Sequence, residues 1–278
     1  MEQWTSVRVR PTANDEGARV ACLAALFAAG AQGVHEDGLS LVTHFAPRTD
    51  LAHVHDLVSR ADEGATIETS PVPAIDWSEA WKERIVAHDL GPLTVAPPWL
   101  ADGRDPRTTI VIDPGMAFGT GDHATTRGVV RLLPSVMRMG DIVADLGAGS
   151  AVLAIAAAKL GAERVYAVEL DGEAIRDAEE NVERNGVVDR VHVFEGDAGS
   201  FLPVIAPLRV ILANIISSVL VELLPVMAMS LTNDGEAIIS GILRDERAHM
   251  LDVLKATGWR VTGEDAEDIW WSASIARA

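Results

Sequence analysis

Polar and apolar positions alternate over residues 4–9 (WTSVRV), the pattern of a strand with one buried face. Over 15–29 the spacing lengthens to that of a helix, with Asn14 as its N-cap and Gly30 as its stop. Two short strands, 34–36 and 39–45, follow around Asp37-Gly38, a hairpin signal. A second helix over 50–60 and a strand over 65–69 complete the order βαββαβ, that of a ferredoxin-like α+β unit. Pro71 and Pro73 then punctuate the chain, so residues 1–73 are expected to form one domain. In DWSEAWKERIVAH (76–88), Trp77 and Trp81 stand one turn apart and Ile85 continues their stripe. This predicts a connecting helix within a linker of residues 74–90.

From Leu93 onward strand and helix patterns alternate. Strands are expected at 93–96, 108–112, 142–145, 165–169, 191–195, 210–214, 236–240, 259–262 and 269–275, with helices between most of them, such as 173–185 closed by Gly186. The alternation predicts an α/β domain over 91–278 built on a Rossmann-like doubly wound sheet, with ligands at the carboxyl ends of its strands. The sequence has no internal repeat and no low-complexity tract.

One segment, 141–171 (DIVADLGAGSAVLAIAAAKLGAERVYAVELD), reads as strand, Gly-rich turn, helix and second strand. The second strand ends on Glu169, twenty positions after Gly149. In a βαβ unit the two strand ends lie side by side, so the turn and the Glu169 carboxylate flank one crevice. There the carboxylate can accept both hydroxyls of a ribose. A dinucleotide fingerprint needs a glycine or alanine where this chain has Val152, which argues against a pyrophosphate. The pattern Gly147, Gly149, Ala151 suits S-adenosyl-L-methionine instead, whose methionine end passes close to backbone without a phosphate to cradle.

Composition narrows the classes. At 278 residues and 48% hydrophobic content, the chain can build more than one core. No apolar run reaches the roughly 18–20 residues of a membrane span, and MEQWTSVRVR has no apolar signal core, so a cytoplasmic protein without membrane contact is expected. The single cysteine, Cys22, is expected to fill a helix face, and the eight dispersed histidines lack the company of a metal site, so no metal is expected. A net charge of −18 opposes direct nucleic-acid binding and favours a basic partner.

Two further segments make the reading specific: DPGMAFGTGDHATTR (113–127), just before the Gly-rich unit, and LANII (212–216), at a strand end. Together with DLGAGSAVLAIAAAKLGA and DWSEAWKE, they resemble the PrmA family, which methylates the eleventh protein of the large ribosomal subunit. The resemblance covers nearly the whole chain. It implies a class I methyltransferase domain preceded by a small ferredoxin-like domain and a helical linker. It also implies that Thr126, Gly147, Glu169 and Asn214 contact the cofactor or the reacting centre. Gly149 and Asp197, the latter in the EGDA run ending the third strand, are expected to complete the crevice, where Asp197 can accept from an adenine amino group. Glu169 stands where the family commonly has Asp, Ala151 where a third glycine is frequent, and Ile215-Ile216 where a Leu usually follows the Asn.

The expected activity is an S-adenosylmethionine-dependent protein N-methyltransferase, acting as a monomer on lysine amines, up to trimethylation, and on N-terminal amines of a basic large-subunit ribosomal protein. The alternatives are another protein lysine or small amine as target, or a non-catalytic module that docks a ribosomal partner. A lysine amine has a reference pKa near about 10.4, so it must lose a proton before it attacks. A carboxylate beside it would hold the proton on. The Asn214 side-chain oxygen is the better acceptor, Thr126 is placed to donate to a methionine carboxylate, and His123 is the one ionisable candidate base in the 113–123 loop.

Overall fold

The computed structural model describes residues 4–12, 16–31, 33–72, 85–113, 119 and 121–278. The chain divides into two compact units, Met1–Arg84 and Ile85–Ala278.

In the first unit, β1 (Thr5–Arg10), α1 (Glu16–Ala28), β2 (His35–Asp37), β3 (Ser40–Phe45), α2 (Leu51–Ala61) and β4 (Thr66–Pro71) follow one another as expected. The sheet order β2-β3-β1-β4, antiparallel throughout, is the ferredoxin-like arrangement. Asp37 pairs with Ser40 across a two-residue turn that Gly38 enters with φ +59°. Asp50 caps α2 by accepting from the backbone N–H groups of Ala52 and His53. The inward residues of β1, Val7 and Val9, pack with Leu41, Leu26, Val54, Val58 and the buried Cys22. Asn14 and residues 76–84 of the helix expected over 76–88 lie outside the described residues.

The helix expected over 76–88 does not include its last residues: 85–87 are irregular and His88 opens a strand, β5 (His88–Leu90), antiparallel to β6 (Leu93–Ala96). The strand forms there because its partner lies a two-residue turn away, where Gly91 takes φ +74°. The strands near 93–96 and 108–112 do not belong to the doubly wound sheet. After the short helix α3 (Pro98–Ala101), β7 (Thr109–Val111) pairs parallel to β6, and β5-β6-β7 form a sheet of their own.

The main sheet has seven strands. They are β8 (Ile142–Leu146), β9 (Arg164–Glu169), β10 (Val191–Glu195), β11 (Leu208–Asn214), β12 (Leu231–Leu243), β13 (Trp259–Glu267) and β14 (Trp270–Arg277), in the order β10-β9-β8-β11-β12-β14-β13. The first five run parallel and β14 antiparallel between β12 and β13. Strand order reverses between β8 and β11, and at such a switch point a crevice opens beyond the carboxyl ends. One face is covered by α4 (Ala124–Val136), α5 (Val152–Lys159) and α6 (Gly172–Arg184). The other is covered by α7 (Ala198–Ile205), α8 (Ser217–Ser230) and α9 (Arg247–Ala256).

The strands read as near-continuous apolar runs because both faces are buried. In β11, Val210 and Leu212 enter one core while Ile211 and Ala213 enter the other. Burying each larger aliphatic side chain contributes about 1.5–3 kcal/mol. That rigid centre holds the strand ends, and therefore the crevice, in place. No helix among the described residues is long and apolar enough to cross a membrane.

Candidate active site

The Gly-rich turn forms where β8 gives way to α5. Its backbone folds back on the end of β9, with the N–H groups of Gly147 and Ala148 both donating to the Val168 carbonyl, at 2.9 and 3.1 Å. Gly147 has φ +68°, and a Cβ there would lie 2.7 Å from Ile215 Cγ2, so the position excludes a side chain twice over. Ala151, the N-cap of α5, is itself left-handed at φ +64°, a conformation that glycine adopts without the strain an alanine carries. Glu169 lies against the turn, as its strand-end position predicts. Gly149 N–H donates to Oε2 at 2.7 Å and Asp171 N–H donates to Oε1 at 2.9 Å. Each carboxylate oxygen keeps a second lone pair, so the group can still accept two hydroxyls.

A cavity of about 390 Å³ opens beside this carboxylate, bounded by Leu146, Gly147, Glu169, Leu170, Asp197, Ile215, Ile216 and Leu223 among others. Its size lies within the usual range of small-molecule sites, roughly 300–1,000 Å³, and its walls are mostly apolar with a carboxylate on two sides. Asp197 caps α7, with Oδ1 accepting from Ser200 N–H at 2.8 Å, and it lines the cavity. Hydrogen bonds from Ser200 hold its carboxyl below the usual carboxylate range. The apolar walls escaped the sequence reading. Their signal is the run of large apolar residues just past strand ends, Leu170 after β9 and Ile215-Ile216 after β11, where connections are usually polar.

Thr126 and Asn214 meet at the neighbouring strand end. Thr126 is fully buried in the first turn of α4, and the Asn214 amide Nδ2 donates to its Oγ1 at 3.4 Å. His123 is the N-cap of α4. Its Nδ1 lies 2.7 Å from Thr125 Oγ1 and accepts from Thr125 N–H, while its ring stands edge-on to Trp270 with centroids 5.1 Å apart. It orders the helix start. Residues 114–118 and 120 of the preceding loop, Phe118 included, lie outside the described residues. At Gly119 the loop is tied to the Gly-rich turn, because Ser150 Oγ donates to its carbonyl at 2.6 Å.

The helix carrying Thr126 is clamped to the edge of the sheet. Arg131 makes a fork of bonds to Asp265, at 2.9 and 2.6 Å, and reaches Glu267 at 2.7 Å, while Arg127 also binds Glu267. Together Arg127 and Arg131 hold the Glu267 carboxyl down to about 2. Farther in, Ser240 Oγ donates to the Thr125 carbonyl at 3.1 Å and pairs with Ser272 Oγ at 2.7 Å.

Beneath the turn lies Asp145, which the sequence reading passed over. It is fully buried, Oδ2 accepts from Ala154 N–H at 2.9 Å, and Oδ1 has no hydrogen-bond partner among the described residues. Burial, with the Glu169 charge adding to it, pushes its carboxyl up from the ordinary 3.8 to about 7. Between those values the folded state binds a proton that the unfolded chain has released. The resulting stability is therefore fully present at the acidic end and is lost as pH rises through about 7. Asp145→Asn is expected to flatten that decline, which amounts to at most about 4 kcal/mol. Urea midpoints at several pH values between acid and neutral check it, and a variant that keeps the wild-type slope would remove Asp145 as its source.

Among the described residues no group of three or more His, Cys, Asp or Glu is placed to hold a metal ion. The chain as a whole is similar to known proteins. Over 213 residues the chain is 38% identical to a ribosomal protein L11 methyltransferase of Desulforamulus reducens, spanning 76% of this chain and 68% of that one. A second, from Streptococcus pyogenes serotype M6, is 32% identical over 249 residues, spanning 84% and 77%. The crystal structure of a ribosomal protein L11 methylase from Lactobacillus delbrueckii subsp. bulgaricus matches with a TM-score of 0.61 at 31% identity, covering 69% of this chain and 99% of that one. With the strand order of the seven-stranded sheet, this match shows a class I methyltransferase fold. The sequence pattern that defines ribosomal protein L11 methyltransferases (PrmA) runs through residues 15–278, and the chain belongs to that family.

Proposed function

We propose that this protein transfers methyl groups from S-adenosylmethionine to amines of ribosomal protein L11, lysine side chains above all. The observation that carries the reading is the approach of the Asn214 amide to Thr126 Oγ1 at the switch-point crevice. The residues present fit the cofactor. Gly147 lacks room for a side chain and leaves its backbone open to a ligand, and Glu169 retains two acceptor sites for ribose hydroxyls. Asp197, just past the end of the neighbouring strand β10, also lines the cavity, where it can accept from an adenine amino group. When bound, S-adenosylmethionine supplies an electrophilic methyl group on a sulfonium.

The chain's own residues then have to align an amine and keep it neutral. Because Asn214 turns its NH2 toward Thr126, its amide oxygen is the atom left to accept a hydrogen from the incoming amine, whose lone pair can then point into the crevice. Thr126 accepts from Asn214, so its own hydroxyl hydrogen is available to a carboxylate. An amide does not hold the amine in its cationic form as a carboxylate would. His123 takes no part as a base in this reading, since its Nδ1 is committed to the helix start.

We assign recognition of the ribosomal protein to residues 1–73 and catalysis to the second unit, Ile85–Ala278. Each unit encloses its own apolar core. Removing residues 1–72 is expected to leave calorimetric binding of S-adenosylmethionine intact and to abolish methylation of L11. Full activity of the shortened chain on L11 would overturn this division.

A further inference from the structure

We infer that Gly241 is a positioning residue for Asn214, holding the peptide that follows it by leaving no side chain in its path; the inference rests on the role proposed above for Asn214. The last parallel pair between β11 and β12 is Asn214 with Ser240. Past that point β11 ends and the chain turns into α8, while β12 runs on to Leu243. The turning peptide of Ile215 therefore has to cross β12 at residue 241. There β12 carries one extra residue: its pairing with β14 shifts between Ile239 and Ile242, a bulge that Gly241 accommodates at φ +83°.

A Cβ at Gly241 would lie 2.4 Å from the Ile215 carbonyl oxygen, 2.9 Å from its carbon and 3.2 Å from its nitrogen. The obstructed atoms are main chain and cannot rotate away. The Ile215 side chain reaches the Gly-rich turn, where its Cγ2 lies 2.7 Å from the place a Cβ on Gly147 would occupy. Ile215 thus approaches two left-handed glycines, with its main chain at the one in the bulge and its side chain at the one in the Gly-rich turn. Asn214 shares a peptide bond with it. Displacing that peptide by several tenths of an ångström reorients the Asn214 amide relative to Thr126. A misplacement of about 1 Å in a positioning group can cost a hundredfold in rate.

The test compares Gly241→Ala with Gly258→Ala in the full-length protein. Gly258 is also left-handed, at φ +80°, but has open space where a Cβ would go, so alanine there brings the same backbone strain without the obstruction. Gly258→Ala is expected to lose thermal stability through the strain alone, and Gly241→Ala to lose more, because the obstruction adds to it. At saturating S-adenosylmethionine, Gly241→Ala is expected to lower kcat on L11 by about tenfold or more, and Gly258→Ala to leave kcat within about twofold. Equal kcat in the two variants, or a Gly241→Ala defect that saturating cofactor fully restores, overturns the inference. If Gly241→Ala does not fold, Ile215→Ala removes the wedge without an obstruction. A kcat lowered about threefold or more at a retained thermal midpoint supports the inference, and an unchanged kcat overturns it. Failure of the wild-type protein to methylate L11 would instead overturn the function on which the inference rests.

Discussion

Asn214→Ala is expected to lower kcat for methylation of L11 by about a hundredfold while leaving the Kd for S-adenosylmethionine within about threefold. The asymmetry follows from what Asn214 touches. Its amide donates to Thr126 Oγ1 at the strand end and is not part of the wall of the nucleoside cavity, which begins one residue later at Ile215. Alanine removes the oxygen that accepts from the amine. It leaves Gly147, Glu169 and Asp197, the groups assigned to the nucleoside, in place. An interaction made chiefly as the amine attacks appears in kcat, whereas one made equally with the bound ground state appears in KM. Stopped-flow or quench measurements at saturating cofactor separate the two, and equal losses of kcat and cofactor affinity would take Asn214 out of the chemistry.

Glu169→Gln should behave in the opposite way. The carboxylate accepts from Gly149 N–H and Asp171 N–H and has two further acceptor sites for ribose hydroxyls. Glutamine replaces one oxygen with an NH2 that faces a backbone donor, so one N–H loses its partner and one hydroxyl loses its acceptor. The lost N–H partner weakens the free and bound protein alike, so Kd reports the one hydroxyl contact; a hydrogen bond to a charged group contributes about 1.5–3 kcal/mol, which is roughly tenfold to a hundredfold in Kd. Once cofactor is saturating, kcat should stay near wild type. Calorimetric titration gives the Kd directly, and an unchanged value would mean that the ribose is held elsewhere.

The Gly-rich βαβ unit was legible because its signals are local. Val165–Val168 is an apolar run ending on an acid, and the turn glycines sit between a strand and an alanine-rich helix. Thr126 and Asn214 came from the family resemblance, and nothing in their spacing shows that they meet, 88 positions apart. The clamp on α4 was equally hidden. Arg127 and Arg131 are one helical turn apart, and Asp265 and Glu267 are two apart on a strand, so both pairs face one way. Their pairing across more than 130 residues depends on β13 lying at the sheet edge.

Polar edge strands hid their own length. The strand expected over 259–262 runs on through the polar segment 263–267 (GEDAE), which continues β13 with alternating exposure. Asp145 escaped notice because a carboxylate at the end of an apolar strand looks like the start of a loop. Only its burial, with one oxygen on a helix N-terminus and the other unpartnered among the described residues, marks it out. Gly241 sits inside an apolar strand pattern, and a glycine in such a place signals a bulge or a close backbone approach. The sequence contains that signal, but the identity of the approaching backbone comes from the fold.

The central claim is tested most directly by intact-mass spectrometry of unmethylated ribosomal protein L11 after incubation with this protein and S-adenosylmethionine. The account predicts mass gains in methyl steps that are lost with Asn214→Ala. No gain on L11, from a protein shown by calorimetry to bind the cofactor, would contradict it.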